Sequence, residues 1–219
     1  MASAGRVTVI SPPSLSPAVI SGGIRRLIEH RGLLRELSVH RIRVRYKQSA
    51  LGVTWAVAQP LALMAVYTVI FSVVTRVPTS GIPYPIFVFA ALLPWTFFSG
   101  TVSSGATSLV THQQWITKVS FPREILPITY LVVGLFDFVI GLLILGFFLI
   151  RYDTSLSWQA LWSVPLIAVA AVFSLGMSFF LCTVQVRFRD VGLAMPLVMQ
   201  LWMFASPVVY PYNAVPERF

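Results

Sequence analysis

Between Lys47 and Arg76 the chain carries no charged residue, and four later stretches are almost as free of charge. A helix needs about 20 apolar residues to cross the hydrocarbon core of a bilayer. The five stretches, roughly 50–75, 84–109, 125–150, 159–184 and 191–210, each meet that length. They predict an all-α polytopic membrane protein, because a helix satisfies its own backbone hydrogen bonds in lipid. Composition agrees. Of the 219 residues 57% are hydrophobic and only 11% charged, where soluble domains carry about 25% charge.

What precedes the first span is different. Residues 1–23 are rich in Ser, Pro and Ala, and Pro12, Pro13 and Pro17 interrupt anything like a cleavable signal, so they read as a disordered cytoplasmic tail. Over 24–47, Leu27, Ile28, Leu33, Leu34 and Leu37 recur at spacings that line one helical face, with Arg25, Arg26, Arg31, Arg35 and Arg41 assigned to the other. That is the pattern of a helix lying in the membrane interface. Residues 43–61 then form a joint. Arg43, Arg45, Tyr46 and Lys47 belong to the surface, Ser49 and Gly52 supply a bend, and Trp55 opens the first span of a transmembrane domain over 48–219.

Cations orient the chain. With the N-terminus cytoplasmic, 13 of the 16 Lys and Arg residues fall inside, leaving only Arg76, Arg151 and Arg218 outside, a strong positive-inside bias. The net charge of +9 therefore suits a membrane surface, and no nucleic-acid partner is expected.

Several chemistries can be set aside. The chain has no phosphate loop, no G-x-G-x-x-G and no H-E-x-x-H, so no catalytic residue, no metal site and no cofactor of its own is expected. His30, His40 and His112 sit in polar segments and read as solvated. Cys182, in an apolar run, reads as a small core residue.

Asp137 is the only charged residue inside a predicted span. It must face protein or water, or be protonated. Two readings stand: a pathway or gating residue, or a polar tie to a neighbouring helix, the latter favoured by Gly134 and Gly141 beside it. The second span carries Ser99, Gly100, Ser103, Ser104 and Gly105, which suit tight packing or the wall of a wet path. Aromatics crowd the spans, among them Tyr67, Trp95 and Phe98. Most such rings anchor at interfaces, and any facing a conduit could stack on sugars.

The break 112–127 mixes Trp115, Ile116 and Phe121 with Lys118, Arg123 and Glu124, and Pro122 and Pro127 stiffen it. Apolar anchors rimmed by charge are what a loop needs to grip a partner.

Three patches are more specific together than apart. They are Arg45-Tyr-Lys-Gln-Ser-Ala-Leu-Gly-Val-Thr-Trp55 with Pro60, Lys118-Val-Ser-Phe-Pro-Arg-Glu-Ile-Leu-Pro127, and Arg189-Asp190 followed by Ser206-Pro-Val-Val-Tyr-Pro211. From about residue 25 onward the chain resembles the permease subunit of type-2 ABC exporters, in the branch that moves O-antigen (lipopolysaccharide), capsule and teichoic acid. The resemblance implies an ATP-driven exporter of a lipid-linked polysaccharide in the bacterial cytoplasmic (inner) membrane. It implies two permease copies as a homodimer, and a separate ABC ATPase subunit that binds ATP and Mg. It makes 24–46 an interface helix and about 112–124 a coupling helix, with Trp115, Lys118, Phe121, Pro122, Arg123 and Glu124 facing the ATPase. Arg187, Arg189 and Asp190 then form the other cytoplasmic turn. The family has six spans, so a returning piece and a sixth span are expected beyond Phe219.

The alternative within transport is a permease for a lipid or small drug. A membrane glycosyltransferase would need acidic or metal-binding loops that these short connections lack. A scaffold without transport would not need Asp137 inside a span.

Overall fold

The structure is a computed structural model and describes residues 25, 27–47, 54–74, 82–118, 121–154, 157–208 and 210. No strand occurs among them. In chain order the helices are α1 (Arg31–Lys47), α2 (Thr54–Thr68), a π-helical turn (Val69–Val74), α3 (Tyr84–Thr111), α4 (Gln113–Lys118), α5 (Ile125–Arg151), a 3-10 turn (Trp158–Trp162), α6 (Ser163–Arg187) and α7 (Asp190–Ala205). The expected bend at Ser49 and Gly52 lies outside the described residues.

Three helices are long and apolar enough to cross a membrane: Tyr84–Thr111, Ile125–Arg151 and Trp158–Arg187. The chain is therefore an all-α, polytopic membrane protein. The flanking apolar helices are shorter. Val57–Phe71 passes into the π-helical turn, and α7 stops after 16 residues. The reason at α7 is local. Pro207 forces Ser206 out of the helical region, and Ser206 is extended (φ −99°, ψ 145°).

Short connections make successive helices antiparallel, so one end of the bundle collects α1, α4, the start of α5 and the turn between α6 and α7. Lys118, Arg123, Arg187 and Arg189 are all exposed there. This is the basic end.

The hub is α3. It packs against α2, α5, α6 and α7, while α1 lies along α5. Inside lipid the hydrophobic effect does not drive helices together; close packing and interhelical hydrogen bonds do. Two seams show this. Against α6, a Cβ on Gly105 would run into the Ser178 side chain, whose Oγ donates to the Thr101 carbonyl at 3.2 Å. Against α5, a Cβ on Gly134 would lie 2.6 Å from Thr101 Oγ1, and one on Gly141 would overlap Leu93. The third seam, against α7, has one such glycine, since a Cβ on Gly192 would lie 3.0 Å from Thr107 Cγ2, and is otherwise built from methionines. Met195, Met199 and Met203 recur every four residues and are all buried, the first two against Phe98 and Val102 and the third against Tyr67, Val88 and Leu92.

The inner face of α1 contains Leu34, Ser38, Ile42 and Tyr46; Tyr46 is buried rather than at the surface as the sequence reading had it, and Ile28, read as part of the apolar face, is exposed. It also contains Arg41, which the sequence reading had put on the polar face. Arg41 turns inward because a planar guanidinium can leave water when it stacks and hydrogen-bonds, as it does here.

Candidate functional site

The basic end is held together by one arginine. Arg41 lays its guanidinium over the Tyr130 ring of α5, 3.8 Å from the centroid. Its Nη2 also lies 3.3 Å from His112 Nε2, between α3 and α4. The His112 tautomer follows from its other nitrogen. Nδ1 lies 3.0 Å from the Ser108 carbonyl, which can only accept, so Nδ1 carries the hydrogen and Nε2 accepts from Arg41. Burial holds the His112 pKa below its ordinary 6.5 and Arg41 adds to this, although the Ser108 bond opposes them. His112 is thus half-buried and partnered rather than solvated. Its ring packs edge-on against Trp115, which is 41% exposed at the start of α4.

The expected partner-gripping loop divides. The described helix is Gln113–Lys118, and Phe121 to Glu124 are not helical, so it does not run to 124 as expected; Pro122 has no N–H for a helical bond. Trp115 and Lys118 are exposed, Phe121 and Pro122 half-buried, and Arg123 and Glu124 exposed. A turn in which Ile125 N–H donates to the Pro122 carbonyl (3.2 Å) launches α5. On the neighbouring turn, Arg187, Arg189 and Asp190 are exposed, and Gln185 Nε2 donates to the Arg189 carbonyl at 3.1 Å.

Deeper in the bundle, Asp137 meets α1. Its Oδ2 accepts from Arg45 Nη1 at 2.6 Å and its Oδ1 from the Tyr46 hydroxyl at 2.5 Å. Charge-assisted bonds of this length are the stronger kind. Burial, and then the carboxylate, hold the Tyr46 phenol protonated far above the ordinary tyrosine range. Asp137 therefore ties α5 to α1. Two residue pairs fix the path of α1: Arg41 beside Tyr130 and Arg45 beside Asp137. α1 climbs α5 from the basic end toward mid-span.

Beside this tie opens a cavity of about 540 Å³. α1 contributes Arg45 and Tyr46, and α2 contributes Trp55, Gln59, Pro60 and Leu63. From α3 come Leu93, Thr96, Phe97 and Ser99 to Thr101, with Ser104 one turn on; α5 adds Tyr130, Val133, Gly134, Asp137 and Phe138. The positions repeat at helical spacing, so α2, α3 and α5 each present one face. Tyr67, Trp95 and Phe98 are not among these residues. The first donates weakly to the Met203 thioether sulfur (Sδ, 3.7 Å), and the other two interlock with Trp202. They pack α7 onto the hub. Arg43 is exposed on the outer face of α1, and Ser49 and Gly52 lie outside the described residues.

Sequence reasoning missed Arg41, His112 and Tyr130 as a group. Their separation along the chain hid it, and a cation within an amphipathic stripe was the only available signal.

Apolar helices long enough to cross a membrane, a partly polar cavity between them and a cationic end define an integral membrane protein. The chain belongs to the ABC-2 type transporter family, whose model matches residues 33–219. It is 34% identical over 199 residues to the O-antigen export system permease protein RfbA of Myxococcus xanthus, covering 89% of this chain and 74% of that one. It is 33% identical over 179 residues to the RfbA permease of Klebsiella pneumoniae, covering 81% and 68%. A more distant relative, the polysialic acid transport protein KpsM of Escherichia coli, is 20% identical over 193 residues, covering 84% and 71%.

Proposed function

We propose that the chain is the permease subunit of an ATP-driven exporter that carries a lipid-linked polysaccharide of the O-antigen type across the bacterial cytoplasmic membrane, with its N-terminus in the cytoplasm. The observation that carries this reading is the one-third identity, over most of both chains, to permeases named for O-antigen export. Two copies would form the conduit, and a separate ATPase subunit would bind ATP and Mg.

The basic end supports the mechanical part. Trp115, Phe121 and Arg123 are apolar anchors and a cation on short, stiff segments. A push on Trp115 reaches His112, then Arg41, and so both α1 and α5. The movement can be no larger than the difference in binding energy the ATPase delivers between its two states. Co-purification tests the reading. The native chain should bring down its ATPase and support surface polysaccharide. A Phe121→Ala, Arg123→Ala variant should insert normally but lose both. Unchanged export and co-purification in that variant would end the coupling assignment.

A further inference from the structure

The cavity beside Asp137 contains more polar capacity than the protein uses. Gln59, Ser99 and Ser104 line it without a side-chain hydrogen bond to any described residue. The Thr101 hydroxyl, on a residue only 1% exposed, is also without a partner, as are the buried hydroxyls of Thr68 and Ser108 away from the cavity. Hydroxyls in this protein do have a route to satisfaction inside a helix. Thr111, Thr129, Ser174 and Ser178 all bond back to a carbonyl of the preceding turn, and so does Thr96 at the cavity's edge. Ser99, Thr101 and Ser104 do not. At mid-span, where lipid supplies no partner, unsatisfied polar groups are costly. Something with its own donors and acceptors belongs in this space.

Its chemistry can be narrowed. Among the described residues Arg45 is the only cation in the lining, and its charge is balanced by Asp137, so a phosphate has no net positive charge to meet. An acyl chain would leave the hydroxyls unpaired. A polyhydroxyl compound fits on three counts. The amide and hydroxyls offer both donors and acceptors. The Arg45–Asp137 pair is still partly open to the cavity, its side chains 53% and 28% exposed. Trp55 offers a half-exposed ring at the rim, a flat apolar face of the kind that stacks on sugars. The volume of about 540 Å³ lies within the usual range of small-molecule sites. Gly100 enlarges it, since a Cβ there would meet nothing within 4 Å.

We propose that this cavity is a sugar-binding subsite within the single subunit, which takes one or two sugar units of the exported glycan between α2, α3 and α5. The proposal rests on the glycan-export reading and adds a place where the glycan is held.

The test uses Ser104→Cys in a Cys182→Ala background, within the full transporter in native membranes. N-ethylmaleimide labelling is timed in membranes from cells of the source organism with and without their lipid-linked polysaccharide. Occupancy by glycan should slow labelling at least about fivefold where the polysaccharide is present. Adding Gly100→Leu, which fills the open space, should slow labelling in both membranes while ATPase co-purification persists. Equal rates in the two membranes would mean that the cavity holds only water and would overturn the proposal. No labelling in either, without Gly100→Leu, would mean a closed or lipid-filled cavity and would overturn it too. ATPase co-purification and surface polysaccharide are measured on the same cells. Loss of protection with export intact removes the subsite alone, and failure of the native chain to export removes the functional reading instead.

Discussion

Arg41 stacks on Tyr130 and hydrogen-bonds His112 with the same planar group, so a single side chain joins α1, the end of α3 and the start of α5. Lysine keeps the charge but has no flat face and no fork of donors. Arg41→Lys should therefore destabilise the purified protein by about 1 kcal/mol, read as thermal unfolding in detergent. A Tyr130→Leu change made on top should cost less than it does alone, by about 0.5–2 kcal/mol. Strictly additive losses would show that the stack contributes nothing.

His112 makes the same joint sensitive to pH. Its folded pKa lies below 6.5, so between the two values the unfolded chain binds more protons than the folded one. Stability from this residue is complete above pH 6.5 and is lost as pH falls toward the folded value. Protonation also ends the lone pair that accepts from Arg41. Melting curves from neutral to mildly acidic pH should fall more steeply for the native chain than for His112→Gln. Parallel curves would remove His112 as the cause.

The Asp137 tie behaves as a partly buried ion pair. Arg45→Leu strands a carboxylate at mid-span and should cost about 1–3 kcal/mol, less than full insertion scales suggest because Asp137 is 28% exposed. Asp137→Leu should cost less, since the better exposed Arg45 can reach water. The double leucine variant should return to within about 1 kcal/mol of the native chain. If the double variant were worse than either single change, the pair would not be the interaction at stake.

The glycine seams divide by what stands opposite. Gly105→Ala meets Ser178 and should destabilise by about 1–3 kcal/mol. Gly146→Ala meets nothing within 4 Å and should be neutral or slightly stabilising, since alanine favours helix by up to about 1 kcal/mol. Similar melting temperatures for the two variants would contradict the packing described.

The helices were legible in the sequence because charge is excluded from lipid, and a run such as 84–111 has no other reading. The joint at Arg41 was not legible. Its three members are separated by 71 residues from Arg41 to His112 and by 18 more to Tyr130, and nothing in local spacing relates them. Asp137 was half-legible. Its cost at mid-span announced that a partner must exist, but the partner lay 92 residues away in a stretch read as membrane surface. The cavity was the hardest to foresee. The same serines and glycines of α3 serve packing on one face (Gly105 on Ser178) and open space on another (Gly100), and only the azimuth of the helix separates the two uses.

One feature of the hub bears on how the subunit yields. The seams of α3 with α5 and α6 interlock through glycines, where a shift of one residue would drive side chains into backbone. The seam with α7 rests on Met195, Met199 and Met203. Methionine is unbranched and has three rotatable bonds, so it keeps contact across a range of neighbour positions. The stretch of α7 between its close approach at Gly192, where a Cβ would lie 3.0 Å from Thr107 Cγ2, and its ring contacts at Trp202 is thus the part of the hub whose packing tolerates a shift of its neighbours.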